Sequence, residues 1–253
     1  MMVEDEFSEK GWHWWLSRVV IPVVIPLVVA LVGAYMLWLV NQDSENGSAV
    51  STSSDRPACA EQVDSLKSGW GPDRPTVGPS QFSPQPSFNV ERDNPNYGDE
   101  RNFLIVKEAS FAGAGGWTDA LDVVPDNEYL LRAYIHNGAA DTEENVARDT
   151  NVRFELPTCA GTAIALQGVI TSPAAYPQMI WDTAILTARE TLRVELVPGS
   201  AQQFNNRFPD GVSLPDRVAT SGATVGSATA DGDVRGDYRN SVIVSARVRT
   251  VSE

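Results

Sequence analysis

The chain has 253 residues, 42% of them hydrophobic, and a formal net charge of −14. A protein this acidic repels phosphate backbones, so the composition argues against a nucleic-acid partner. Only two cysteines occur, Cys59 and Cys159, and there is no Cys-x-x-Cys motif, which excludes a zinc site built from thiolates.

An uncharged apolar run from Val19 to Val40 dominates the N-terminal part of the chain. As a helix it reaches ~33 Å at ~1.5 Å per residue, enough to cross a hydrocarbon core of about 30 Å. Tryptophans precede the run and Trp38 lies near its end, as in the aromatic belts at membrane interfaces. The pattern predicts a single transmembrane helix over residues 19–40, embedded in the lipid bilayer.

The basic residues near this run predict its orientation. Lys10 and Arg18 precede it, whereas the first positive residue after it is Arg56. Because Lys and Arg collect on the cytoplasmic side, we expect residues 1–18 to form a short cytoplasmic tail. The chain from residue 41 onward is then expected outside the plasma membrane, at the cell surface.

A cleaved signal peptide is the alternative, with Gly47–Ala49 as a small-residue cleavage site. Signal peptides combine a basic start with an apolar stretch of about 7–15 residues, and this chain has neither. The sequence therefore favours an uncleaved signal-anchor.

Two cysteines in an extracytoplasmic compartment can form a disulfide. A bond between Cys59 and Cys159 would close a loop of about 100 residues and stabilise the fold by a few kcal/mol, since it restricts the unfolded chain. Two unpaired thiols are the alternative, and the sequence leaves both open.

Residues 41–100 have the composition of an extracytoplasmic linker. Ser, Asn, Gly and Asp dominate its first part, and six prolines occur from Gly71 to Pro95. Such a stretch buries too little apolar surface to offset its chain entropy, and proline stiffens it.

From residue 101 to residue 253, short apolar or alternating runs are separated by turn residues such as Asn137-Gly138 and Pro198-Gly199. This pattern predicts an all-β ectodomain, an antiparallel β-sandwich, over residues 101–253. The predicted strands are Phe103–Val106, Glu128–His136, Thr150–Leu156, Ala163–Thr171, Met179–Leu186, Thr191–Val197 and Ser241–Val251.

Two sets of segments carry a resemblance to known proteins. The first set is Tyr129–Gly138, Val146–Val152 and Leu156-Pro157, and it resembles a bacterial surface conserved-repeat domain of unknown function. The second set, similar to uncharacterised actinobacterial membrane-anchored and secreted proteins, is Trp181–Thr183, Val197–Ala201, Asn205-Asn206 and Phe208–Gly211.

The resemblance covers roughly residues 100–253. It implies an immunoglobulin-like sandwich on the cell surface and supplies no catalytic residues. Such modules commonly have Pro-Gly after their second strand, where this chain has Pro157-Thr158-Cys159. That departure implies a special partner for Cys159.

Candidate chemistry is sparse in the ectodomain. Asp231, Asp233 and Asp237 lie in a glycine-rich segment and offer oxygen ligands of the kind that Ca²⁺ takes, although without EF-hand spacing. His136 is the one ectodomain histidine, and no Gly-x-Ser-x-Gly motif accompanies it. We therefore expect no catalytic residues and no cofactor.

The expected function is a structural or protein-interaction role in the cell envelope, performed by a membrane-anchored β-sandwich. A glycan-binding module or a cell-wall-directed enzyme is the competing interpretation. The partners expected are the bilayer, through residues 19–40, and an envelope protein or glycan.

Overall fold

Alternating apolar side chains build an 11-stranded, mostly antiparallel β-sheet. The computed structural model describes Cys59 and residues 69–253, which all belong to the compact unit 56–253. The predicted tail at 1–18, the predicted span at 19–40 and the linker up to residue 68, Cys59 excepted, lie outside the described residues. Within the part of the chain that is described, no helix is long and apolar enough to cross a membrane.

The strands are numbered in chain order. They are β1 (Trp70–Gly71), β2 (Leu104–Glu108), β3 (Ala120–Asp122), β4 (Glu128–Ile135), β5 (Asn151–Glu155), β6 (Gly161–Thr171), β7 (Met179–Leu196), β8 (Gln202–Phe204), β9 (Val212–Ser213), β10 (Ala223–Thr224) and β11 (Val242–Ser252). Short 3₁₀ helices lie at Glu143–Asn145, Asp216–Ala219 and Tyr238–Asn240.

The main path through the sheet runs β10-β5-β6-β7-β11-β4-β2. These neighbours all pair antiparallel, whereas the short β3 pairs parallel with β7. The prediction of an all-β, antiparallel domain is confirmed.

Strand β7 connects the two halves of this path. Its first part, Met179–Thr187, pairs with β6, which pairs with it again at Leu192 after a register shift, and its last part, Leu192–Leu196, pairs with β11. The two strands predicted at Met179–Leu186 and Thr191–Val197 are therefore one strand of 18 residues. The polar stretch between them is exposed at residues 189–191 and does not end the strand.

Burial alternates along two of the predicted strands, as their apolar periodicity indicates. In β11 the apolar positions Val242, Val244, Ala246 and Val248 are all fully buried, while Arg247 and Arg249 are exposed. In β4 the buried positions are Tyr129, Leu131, Ala133 and Ile135. Because side chains alternate along a strand, the outer face of β4 then carries Arg132, Tyr134 and, just past the strand, His136.

The predicted linker is wrong where it covers residues 69–100. Phe88 and Val90 are buried in this segment, and β1 pairs with β7. Arg74 replaces regular pairing here, because its guanidinium donates to the carbonyl oxygens of Phe88 and Asn89 at 3.1 to 3.3 Å. Proline-rich backbone can be buried when side chains satisfy its polar groups in this way.

A disulfide joins Cys59 to Cys159, with Cα atoms 6.2 Å apart. Cys59 also forms an isolated bridge with Ile164 of β6. Cys59 is therefore fastened to the sheet. A cross-link across a sequence separation of 100 restricts the unfolded chain strongly.

The buried carboxylate of Asp182 ties β7 to β2. Its Oδ2 accepts a hydrogen bond from the backbone N–H of Leu104 at 2.6 Å, and its Oδ1 accepts one from Thr183 at 2.8 Å. Nearby, a Cβ added to Gly168 of β6 would lie 3.2 Å from the Phe103 ring. Strand β2, at one end of the strand order, thus lies against β6 and β7 and closes the core.

Burial raises the pKa of the Asp182 carboxyl well above its usual value, although the N–H groups of Leu104 and Thr183 oppose the rise. The folded state therefore retains this proton at pH values where the unfolded chain has lost it. The group's stability contribution is complete below the unfolded pKa of about 3.9 and decreases as pH rises through the folded pKa.

We expect Asp182→Ala to lower the free energy of unfolding by about 3 kcal/mol, since two buried N–H groups lose their acceptor. Urea denaturation of the oxidised protein measures this loss. Glu190→Ala is the matched control, because Glu190 is an exposed carboxylate in the same strand, β7, and a change within about 0.5 kcal/mol is expected there. Equal losses in the two variants would contradict the role given to Asp182.

The pH dependence provides a separate test. Asp182→Asn removes the titrating proton, so the stability difference, wild type minus variant, should fall as pH rises above about 4. Urea midpoints at a series of pH values measure that difference. A difference that grows with pH would mean that the Asp182 carboxyl has a lowered pKa in the folded state.

Candidate functional site

Two clefts flank a stacked pair of tyrosines on the outer face of β4. The rings of Tyr97 and Tyr134 lie 3.9 Å apart, centroid to centroid, at an interplanar angle of 16°. Both tyrosines line both clefts. We name the first cleft the arginine cleft, after Arg132 of β4, and the second the histidine cleft, after His136, which lies just past β4.

The arginine cleft has a volume of about 600 Å³ and the histidine cleft one of about 790 Å³. Besides the tyrosines, the arginine cleft is lined by Asn96, Glu100, Asn102, Phe103, Ile105, Ala114, Gly115, Gly116, Trp117, Thr118, Asp119 and Arg132. The histidine cleft is lined by Pro79, Ser80, Gln81, Phe82, Glu91, Asn94, Pro95, Asn96, His136, Gly138, Asn206, Asp237, Tyr238 and Ser241.

A buried carboxylate holds the histidine in its cleft. Both carboxylate oxygens of Glu100 lie 2.9 Å from Nδ1 of His136, and the Glu100 side chain is fully buried. The same carboxylate accepts a hydrogen bond from Nδ2 of Asn94 at 2.7 Å and one from the N–H of Glu91 at 3.3 Å. With Nδ1 held in this way, Nε2 is the ring nitrogen left to face the cleft.

Glu91, Glu100 and His136 form the one group of three or more potential metal ligands found among residues 69–253 and Cys59. Burial raises the pKa of Glu91, and the neighbouring Glu100 charge adds to the rise. The Glu100 oxygens already accept bonds from His136, Asn94 and the Glu91 backbone, which leaves little capacity for an ion. The arrangement fits a buried polar network better than a metal centre.

Arg132 is held in the other cleft by aromatic rings alone. Its Cζ lies 4.5 Å from the Trp117 ring centroid and 5.5 Å from that of Tyr97. Its Nε is buried and has no hydrogen-bond partner, and no described carboxylate forms an ion pair with it. Burial lowers the pKa of Arg132, but an arginine of this kind stays protonated.

A second cation contacts the same indole. Nζ of Lys107 in β2 lies 4.9 Å from the Trp117 ring centroid and 5.7 Å from that of Phe111. It donates to the carbonyl oxygen of Gly113 at 2.8 Å and is 7% exposed. Two cations without a carboxylate partner in the described structure therefore lie against one aromatic ring. Other arginines of the domain, such as Arg235 and Arg249, do pair with carboxylates.

The structure does not bring the predicted calcium ligands together. Asp233 pairs with Arg148, and Asp237 pairs with Arg239 and caps the 3₁₀ helix at Tyr238–Asn240. Oδ1 of Asp231 accepts a hydrogen bond from the N–H of Asp233. Arginine neutralises two of the three carboxylates, so the glycine-rich segment forms a cross-linked turn.

The sequence indicated only part of this site. His136 was noted as a strand-end histidine, and it lies just past the last residue of β4. Glu91, Glu100 and Tyr97 were assigned to the linker and were missed. The signal for Arg132 and Tyr134 was present, because the alternation of β4 places them on one outer face with His136.

No protein-family model matches the chain, and no curated protein or solved structure is significantly similar to it.

A double-mutant cycle tests the Glu100–His136 pair. His136→Ala leaves a buried carboxylate without its ring donor, so we expect a loss of about 3–5 kcal/mol in unfolding free energy. With Glu100→Gln in the background the same substitution should cost about 1–3 kcal/mol less, because glutamine carries no charge. Urea denaturation of the four proteins measures this, and strictly additive losses would show that the pair is not coupled.

Proposed function

We propose that the chain is a single-pass membrane protein that displays an immunoglobulin-like β-sandwich outside the cell, where it serves as a non-catalytic binding module of the envelope. The disulfide between Cys59 and Cys159 carries the proposal. Disulfides persist in oxidising compartments and are rare in the cytosol, so the bond favours an extracytoplasmic domain.

The apolar run at residues 19–40 supplies the proposed anchor. It is long enough to span a bilayer, and it precedes the described domain in the chain. The immunoglobulin-like form is supported by the mostly antiparallel sheet, whose β2 end lies against β6 and β7 across a common core.

The binding role follows from the clefts. Concave sites with a few polar groups converging among aromatic rings are typical of ligand sites, and a volume of about 300–1,000 Å³ is usual for them. The arginine cleft combines Arg132 with Tyr97 and Trp117, and the buried Nε of Arg132 has no hydrogen-bond partner in the described protein. A purely structural role for Arg132 leaves that unpaired donor unexplained.

An extracytoplasmic hydrolase is the second candidate. It is favoured by the carboxylate-held His136, which shares its cleft with the hydroxyl residues Ser80 and Ser241. A carboxylate that orients a histidine toward a serine is the arrangement of a nucleophilic dyad or triad. Labelling by a fluorophosphonate that Ser80→Ala or Ser241→Ala abolishes would establish this alternative.

The proposed location is tested with the full chain expressed in bacterial cells. We expect it in the membrane fraction, with Cys59 and Cys159 unreactive to maleimide until a reductant is added. Deleting residues 19–40 should leave the chain in the cytosol with both thiols reactive, since it then lacks the anchor that carries it to an oxidising compartment.

A Cys59→Ser/Cys159→Ser chain is the control for this labelling, because it has no other cysteine and should stay unlabelled under all conditions. Freely reactive thiols in the membrane-bound full chain would overturn the proposed location.

A further inference from the structure

We propose that the arginine cleft binds the carboxylate of an acidic sugar, a uronic acid residue within a glycan, and that Arg132 receives this carboxylate. The proposal rests on the binding role given above and names the ligand class for it. The observation that carries it is a half-buried guanidinium held by aromatic rings, whose buried Nε has no hydrogen-bond partner in the described protein.

Aromatic rings hold the guanidinium of Arg132. Trp117 and Tyr97 lie against it within cation–π distance, and Tyr97 is in turn stacked on Tyr134. These contacts restrict the guanidinium, and because its Nε is buried, the two terminal NH₂ groups are the donors proposed for the ligand. An arginine fixed in this way is preorganised for a planar acceptor, and a carboxylate can accept two parallel N–H bonds from its fork.

The charges around the cleft select a single negative charge. Arg132 and Lys107 provide two positive charges near Trp117, while the carboxylates of Asp119 and Glu100 line the same cleft. A doubly charged phosphate would meet those two carboxylates, and the net charge of −14 repels any polyanion. A single carboxylate among neutral sugars carries less negative charge and so meets less of this repulsion.

Hydroxyl-binding groups surround the arginine, which favours a sugar over a simple organic acid. Asp119 accepts a hydrogen bond from Asn102 at 2.8 Å, and both side chains reach the exposed rim of the cleft. The backbone of Gly115 and Gly116 forms another part of the wall, and a Cβ added to Gly115 would meet no atom within 4 Å. Amide, carboxylate and backbone groups together can bind several hydroxyls of one sugar ring.

Calorimetric titration of the full chain in detergent micelles tests the proposal. The probe is a disaccharide with one glucuronic acid residue, and its matched control is the same disaccharide with the carboxyl reduced to an alcohol. We expect the acidic disaccharide to bind at least tenfold more tightly. Two further probes are tested separately: an acetylated dipeptide with a free C-terminal carboxylate, and inorganic phosphate. Both should bind weakly.

Variants then assign the binding to Arg132. Arg132→Gln should weaken binding of the acidic disaccharide at least tenfold, and Arg132→Lys should weaken it less, because charge remains but the planar fork is lost. Arg249→Gln is the matched control, since this exposed arginine of β11 pairs with Glu128. The affinity of this variant for the acidic disaccharide should equal that of the wild type.

A stability measurement separates ligand binding from a structural role. Arg132→Gln removes a desolvated charge without a carboxylate partner, so its urea midpoint should equal or exceed that of the wild type. A lower midpoint would mean that the stacked arginine serves the fold.

Three results would overturn the assignment. They are equal binding of the acidic and reduced disaccharides, unchanged binding by Arg132→Gln, and tight binding of the dipeptide alone. Absence of binding by any probe would also overturn it, while membrane location and an oxidised disulfide would still support the proposed function.

Discussion

The Asp182 carboxylate is the interaction on which the closure of the sheet depends. It lies in the first half of β7, opposite Trp70 of β1 in the strand register, and it accepts the N–H of Leu104 at the start of β2. β1, β2 and β7, which are distant in the chain, are therefore all adjacent at Asp182. Hydrophobic contact alone would hold β2 over β6 and β7 without selecting its position along them, whereas this hydrogen bond does select it.

Residues 69–100, before β2, are also held in place by hydrogen bonds from buried polar side chains. Arg74 is buried beside this region, and desolvation lowers its pKa to about 10 although the Asp182 charge acts in the opposite direction. The guanidinium donates to backbone carbonyls on the opposite side of the segment, so its hydrogen bonds compensate for part of the burial. Asn89 continues the network, since its side chain bridges the backbone of Tyr134 and His136. The segment that resembles a linker in composition thereby positions the outer face of β4.

The fold was predictable from the sequence where burial follows a simple period. In β4 and β11 every second residue is buried and most of the residues between them are not, so alternation identified both strands. Residues 69–100 were not predictable in this way, because long-range bonds from Arg74 and Asn89 hold them in place and leave no periodic signal. The candidate site was harder to predict than the fold. Tyr97 and Glu100, which contact Arg132 and His136, belong to the non-periodic segment 69–100. The sequence therefore indicated only the β4 side of each contact.

The charge distribution links the fold to the site. Carboxylates exceed cations in this chain, so a cation near the surface finds a partner easily, as Arg148 and Arg235 do by sharing Glu143. Arg132 and Lys107 form no ion pair in the described structure; they lie on the paired strands β4 and β2, and the rings of Trp117 and Phe111 contact them instead. Aromatic rings attract a cation without neutralising it, and they exclude water that would otherwise screen its charge. Two cations without an ion pair in the described structure thus lie beside Trp117 in a strongly negative protein, and they are the physical basis for the anionic ligand proposed for that place.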